Sequence, residues 1–289
     1  MKIIPRLIVP ALVAFTTLFA HSSEAKPLRV MTFNTMCDFC GNKKETGKFK
    51  DRLKAIGDTI NRHNPDLISL QEVRTLRQVK KIQSYLKDQY TAVYARGKIL
   101  HYTDATLLIR KSRFNVLQDG GFWLGPNPKN WIFGWKIAYP RRLEWADVQD
   151  KETGEQFKFV GSHFDNATKN KEPTAKLVTN TFKDSKIPVL FGGDTNLWPV
   201  LNGYSVLTDT FRDSFQEVSE HRYYSNGPTI NSDGCNLHKA EVFPDCRVDH
   251  VLMSRHAPWK VKTWGVDTYK YYGTLGFVSD HRAVIVDLE

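Results

Sequence analysis

Beyond its first twenty residues the chain has no apolar run approaching membrane-spanning length, no low-complexity linker, no internal repeat and no block of like charge. The first absence leaves no candidate there for a membrane-spanning helix. The others leave nothing that would divide the sequence into modules, so one domain is expected. Cysteine is scarce, with four in 289 residues. Cys37 and Cys40 stand three apart in Cys37-Asp38-Phe39-Cys40; a zinc site there is disfavoured because no second close pair exists to complete it.

What is present begins with Lys2 and Arg6, an apolar stretch from Leu7 to Ala20, and then Ser23 and Ala25 spaced like a small-residue cleavage site. Residues 1–25 therefore read as a secretory signal, with an apolar core too short for a comfortable membrane span. The mature chain would start near Lys26 and be secreted or periplasmic, leaving residues 26–289 as the folded domain. Roughly 260 residues bury a sizeable core. The formal charge is +10, and losing Lys2, Arg6 and Glu24 leaves +9. That excess favours polyanions or anionic surfaces as partners and does not choose between nucleic acid and lipid. In an exported chain four cysteines read as disulfides. Pairing Cys37 with Cys40 and Cys235 with Cys246 is the simplest of the three connectivities.

Periodicity supplies the elements. Leu28–Asn34 is a buried-strand pattern that ends on a polar residue. Phe49, Leu53, Ile56 and Ile60 recur at helical spacing, as do Leu76, Val79, Ile82 and Leu86. Asp66–Val73 is a strand ending in Gln71 and Glu72. Ala105–Arg110 and Phe114–Gly120 read as a pair of strands, and Leu143–Asp150 with Glu155–Phe164 as a hairpin about Lys151–Gly154. Pro173–Phe182 reads as helical, Ile187–Asn196 as a strand running into a loop, and Arg247–Ser254 and His281–Leu288 as the last strands. Many strands with a few helices predict two packed sheets with helices outside.

Polar groups are deposited repeatedly where these strands end: Asn34, Glu72, His163, Asp194 with Asn196, Asp249, and Asp280-His281. Each has an ordinary structural explanation as a cap or turn residue, but strand termini are also where a scaffold presents a site.

The ordered set "TFNT" at Asn34, "LISLQEV" at Glu72, "GSHFDN" at His163, "FGGDTN" at Asp194 and Asn196, "RVDHVLMS" at Asp249 and "SDH" at Asp280-His281 resembles the endonuclease/exonuclease/phosphatase superfamily. The segments "GFWLGPNP" and "YPRRLEWADV" resemble a small bacterial branch of it and match Arg141 to that branch's arginine. The resemblance implies an α/β fold, a deoxyribonuclease I-like four-layer sandwich of two mostly antiparallel sheets with outer helices. It also implies metal-dependent cleavage of a phosphate ester.

The residue types suit that chemistry. A phosphodiester is an anion with a poor leaving group; its hydrolysis needs charge neutralisation, an activated water and a proton for the leaving oxygen. Asn34 and Glu72 supply hard oxygen ligands for magnesium, with manganese or calcium as alternatives. His281 serves as general base or phosphate ligand. By resemblance Asp249 orients His281, Asp280 lies nearer the metal, Asp194 and Asn196 orient the water and hold phosphate oxygens, and His163 is general acid or phosphate donor. Arg141 clamps phosphate. Asp104 is the stand-in for the acid that partners the first histidine. The expected substrate is DNA, bound through salt-sensitive phosphate contacts by a monomer with no protein partner. A lipid phosphodiesterase or phosphatase is the alternative, resting on Phe122, Trp123, Trp131, Phe133, Trp135 and Tyr139, which would touch a membrane, pack over a sheet or line the cleft. A recognition subunit without turnover is disfavoured, because almost every catalytic position carries a competent residue.

Overall fold

The computed structural model describes residues 27–40, 49–97, 101–130, 134–136, 139–218, 220–222, 229–230, 246–269 and 278–289. The signal segment, Trp131, Phe133 and Cys235 lie outside these described residues.

The strands β1 (Leu28–Asn34), β2 (Leu67–Gln71), β3 (Tyr90–Arg96) and β4 (His101–Arg110) join β10 (Glu220–Arg222), β12 (Val261–Val266) and β13 (Val284–Leu288) in a seven-stranded sheet ordered β10-β12-β13-β1-β2-β4-β3. A six-stranded sheet is ordered β5-β6-β7-β8-β11-β9, from β5 (Phe114–Trp123), β6 (Arg142–Asp150), β7 (Gln156–His163), β8 (Val189–Asp194), β9 (Phe211–Asp213) and β11 (Asp249–Ser254). Helices α1 (Phe49–His63) and α2 (Leu76–Tyr85) cover the first sheet; α3 (Thr168–Phe182) and α4 (Asn202–Thr210) cover the second, and α5 (Ser214–Glu217) is a single turn.

The core explains why the central strands show so little apolar alternation. Both faces of each sheet are covered. Val30, Leu67 and Leu107 meet Phe159, Leu190 and Val251 between the sheets, while Met31, Ile68 and Leu108 face Leu53, Ile56 and Ile82 of α1 and α2. On the far side Leu143, Val160 and Phe191 face Val178 and Phe182 of α3. The result is the expected four-layer α/β sandwich.

Two parallel pairs set the position of the polar strand ends. In the first sheet β1 and β2, joined through α1, place Asn34 beside Gln71. In the second, β7 and β8, joined through α3, place His163 beside Asp194. Strand β11 runs antiparallel and enters with Asp249 opposite Asp194. The sheets approach closely here: a Cβ on Gly161 would sit 2.3 Å from the Leu107 side chain.

Beyond β3, β9, β10, β12, α4 and α5, which the sequence pattern does not mark, the structure differs from it in two places. Ala105–Arg110 and Phe114–Gly120 are strands but not partners, since β4 pairs with β2 and β3 while β5 pairs with β6 in the other sheet. Helix α3 starts at Thr168, ahead of Pro173, because Asn170 secures its first turn by bonding Asp165 Oδ2 at 2.7 Å and Thr174 bonds the Asn170 carbonyl at 2.7 Å. Among the described residues no helix is long and apolar enough to cross a membrane.

Candidate active site

Every strand-end residue singled out above lies at the same edge of the sandwich. At the end of β1, Asn34 donates its amide N–H to Glu72 Oε1 at 3.1 Å and to Asp194 Oδ2 at 2.9 Å, so it ties the first sheet to the second. Its own oxygen accepts the Met36 N–H at 3.0 Å. Glu72 has φ of +64°, a left-handed conformation costly for a non-glycine residue. Its second oxygen accepts the Cys37 N–H at 2.6 Å. Cys37 is bonded to Cys40, as expected. Cys246 is also disulfide-bonded, while Cys235, its expected partner, is outside the described residues.

Arg52, on α1, holds this corner. Its buried guanidinium donates to the carbonyls of Thr35, Met36, Cys37 and Val278 at 2.6–3.1 Å, joining the loop after β1 to the loop before β13. Burial lowers its pKa to about 10, against the pull of Asp280 and Glu72.

His163 sits between two sets of partners. Arg141 Nη1 lies 2.7 Å from its Nδ1 and 2.8 Å from Asp104 Oδ2. Asp104 is itself 3.2 Å from Nδ1, but the shorter contact decides: a nitrogen that close to a guanidinium N–H accepts, so Nε2 carries the hydrogen. Nε2 faces Asp194 Oδ2 at 3.4 Å and Glu72 Oε1 at 3.9 Å. Burial pushes Asp104 up, yet the charge of Arg141 holds it far below the usual carboxylate range. Burial opposes the charge on Arg141, but Asp104 more than restores it. Asp104 thus takes the place expected of the first histidine's acid partner. Tyr102 braces the pair, its hydroxyl bonded to the Pro140 carbonyl.

The second histidine is built differently. His281 Nδ1 bonds Asp249 Oδ2 at 2.9 Å, and its Nε2 faces Asp194 Oδ2 at 3.7 Å. Burial would lower its pKa, but Asp249 and Asp194 outweigh that and raise it to about 10. At neutral pH the ring is an imidazolium, suited to binding an oxyanion. Burial pushes Asp249 up, against the pull of His281. Burial likewise works against Asp194, yet the charge of His281 and the N–H donors of Asn34 and Asn196 hold it below the usual carboxylate range. Asn196, with φ of +51°, gives its backbone N–H to Asp194 Oδ1 at 2.9 Å and one side-chain N–H to the Phe164 carbonyl at 3.0 Å. Its amide nitrogen keeps a second N–H for a ligand.

Two expected metal ligands sit in unexpected ways. Asn34 presents nitrogen, not oxygen, to the carboxylates, because the Met36 N–H fixes the amide; it would serve a cation only after turning over. Asp280 is exposed on the rim, 3.2 Å from the Ser279 hydroxyl, which lies 2.7 Å from the Asn34 carbonyl oxygen. Glu72 fits a hard divalent ion best: the groups it accepts from are neutral N–H donors, and magnesium is held by one or two carboxylates plus waters. Asp194, Asp249 and His281 form a second cluster, their ligand atoms within 4.8 Å of one another. Asp249 Oδ1 is buried there without a hydrogen-bond partner.

Beside Glu72 and Asp104 opens a cavity of about 530 Å³ whose lining includes Phe39, Arg74, Tyr102, Tyr139, Arg141 and Asn166. Phe39 and Tyr139 are 58% and 60% exposed. Both lining arginines are already paired, Arg74 with Asp38 at 3.0 Å and Arg141 with Asp104. The aromatic segment is therefore split. Phe122 packs on Phe182, Trp123 sits between Tyr102 and Arg142, Trp135 is half-buried and Tyr139 lines the cleft. Sequence reasoning overlooked Arg52 and Phe39; for Phe39 the signal was an aromatic ring inside a short disulfide loop.

A family model described as the Endonuclease/Exonuclease/phosphatase family matches residues 31–281. An endonuclease/exonuclease/phosphatase family protein from Bacteroides thetaiotaomicron is 26% identical, with a TM-score of 0.78 over 91% of this chain and 98% of its own. A mannosyl-6-phosphatase of Bacteroides thetaiotaomicron is 26% identical, with a TM-score of 0.77 over 91% of this chain and 99% of its own. TDP2 from D. rerio, complexed with a single strand DNA product, shares the fold at 17% identity and a TM-score of 0.66, over 91% and 99% of the two chains. Comparison with curated proteins gives no match.

Proposed function

Because the chain belongs to the endonuclease/exonuclease/phosphatase family, whose members hydrolyse phosphoester bonds, we propose that it is a divalent-metal-dependent hydrolase of phosphate esters carrying a compact, ring-shaped leaving group such as a sugar. The observation that carries this is the cavity beside Glu72 and Asp104. It offers aromatic faces and Asn166, and both its arginines are neutralised by carboxylates. Such a wall suits a neutral ring next to one phosphate better than the continued charge of a polynucleotide. The similarity to a mannosyl-6-phosphatase supports the same substrate class.

Glu72 would hold the cation, with Asn34 after its amide turns and Asp280 through water. Such an ion neutralises phosphate charge and lowers the pKa of bound water. His281, charged and held by Asp249, binds a phosphate oxygen. His163 presents Nε2–H toward the same space, where it donates a hydrogen bond to the phosphate. Asn196 offers its second N–H to another oxygen, and Asp194 aligns both imidazoles. A DNA phosphodiesterase is the second reading, resting on the net charge of +9 left after Lys2, Arg6 and Glu24 are removed with residues 1–25. Export through residues 1–25 is part of the proposal; the Cys37–Cys40 disulfide supports an oxidising compartment.

The test is phosphate release from mannose 6-phosphate and from methyl phosphate, beside nicking of plasmid DNA. Each is run with magnesium, with chelator, and with His281→Ala as control. Hexose phosphate turnover should vanish with chelator, and Phe39→Ala or Tyr139→Ala should raise its KM by roughly tenfold while sparing methyl phosphate. Nicking without phosphatase activity would replace the sugar reading with the DNA one.

A further inference from the structure

His250, in the Val248-Asp249-His250-Val251 stretch, is unused by the chemistry above. Strand alternation turns Asp249 toward His281 and His250 to the opposite face of β11, where it is 2% exposed. There its Nε2 lies 3.0 Å from the Leu197 carbonyl oxygen. A carbonyl only accepts, so Nε2 carries the hydrogen. Nδ1 faces Asp213 Oδ2 at 3.6 Å. Asp213 is fixed from its other sides by the Tyr204 hydroxyl at 2.6 Å and the Phe215 N–H at 3.0 Å. The Tyr204 ring lies against the imidazole, centroids 5.2 Å apart. All of this is buried on the helix side of the second sheet.

What the imidazole holds is the far end of the Asp194–Leu197 loop. The near end is secured by Thr195, whose N–H and hydroxyl bond the Val248 carbonyl at 2.8 and 3.0 Å. Between the two ends Asn196 keeps its left-handed φ of +51°, a conformation that persists only where the surroundings enforce it. Leu197, fully buried, is the next residue. A donor on its carbonyl fixes the Leu197–Trp198 peptide, one residue past Asn196, so that with Thr195 both ends of the stretch carrying Asn196 are pinned.

We propose that His250, aligned by Asp213 and Tyr204, is a positioning residue that holds Asn196 toward the reacting phosphate through the Leu197 carbonyl. It touches neither substrate nor metal. Its effect passes through one backbone hydrogen bond into one loop.

The test compares His250→Phe, which keeps ring volume without a donor, with His250→Gln, whose amide reaches the same carbonyl. Amide hydrogen exchange at Asn196 and Leu197 should quicken by roughly tenfold or more in the Phe variant relative to Phe191 and Val251, and return toward wild type in the Gln variant. The activity arm rests on the phosphoester reading and uses p-nitrophenyl phosphate with magnesium in a cycle with Asn196→Ala. His250→Phe should lower kcat by about tenfold alone and hardly at all when Asn196 is already alanine. Equal losses in both backgrounds, or unchanged exchange at Asn196 and Leu197, would overturn the proposal. The exchange arm needs no substrate, so its result stands even if the phosphoester reading fails. Should His250→Phe not fold, Asp213→Asn carries both readouts.

Discussion

The two histidines flank one carboxylate, Asp194, but their rear partners differ. Behind His281 stands Asp249 alone, and the ring is held charged. Behind His163 stands Asp104 with its charge already taken by Arg141, and the guanidinium faces Nδ1 at 2.7 Å. A carboxylate left to its histidine yields an imidazolium; one claimed by an arginine yields a ring whose tautomer is fixed by the arginine. Two chemically similar pairs thus give one charged ring and one ring with its N–H on Nε2.

Breaking the first pair should do the most damage. Asp249→Asn keeps the shape but removes the charge that sustains the imidazolium, and a loss of about 10³-fold in kcat/KM on p-nitrophenyl phosphate is expected. Next comes Arg141→Lys, which keeps the charge but not the fork joining Asp104 to His163; about 10²-fold is expected there, mostly in kcat. A loss from Arg141→Lys as large as from Asp249→Asn would mean that Arg141 grips phosphate directly.

The smallest effect is on stability. His281 has a folded pKa near 10, above the 6.5 of the free side chain. Its contribution to stability is therefore fully present below about pH 6.5 and is lost as pH rises toward 10. Thermal melts across that window should show Tm falling more steeply in the wild type than in His281→Gln. Parallel slopes would show that the imidazolium is not favoured by folding.

Asn34, Glu72, His163, Asp194, Asp249 and His281 were legible because each breaks an apolar strand pattern at its end, and the sheets bring all six to one edge. Arg52 and His250 were not, for a common reason. Each lies inside an apolar periodic segment and bonds backbone carbonyls, which carry no residue-specific signal. Asp280 was named through the resemblance carried by "SDH", and the structure places it exposed, beside the Ser279 hydroxyl. The pairing of Ala105–Arg110 with Phe114–Gly120 failed because the short link between them looks like a hairpin; only competition from β2, β3 and β6 sends the two strands to different sheets. The cavity was invisible for another reason: exposure of Phe39 and Tyr139 depends on which loops meet, not on either ring's own neighbours in sequence.

Strand β13 lies between β1 and β12 and not at an edge. His281, three residues ahead of it, reaches Asp249 in the other sheet. A chain made from its amino terminus thus displays Asn34, Glu72 and Asp104 long before the last strand exists to fill its slot. The edge site is therefore closed last, when β13 takes its slot and His281 meets Asp249 and Asp194 of the other sheet.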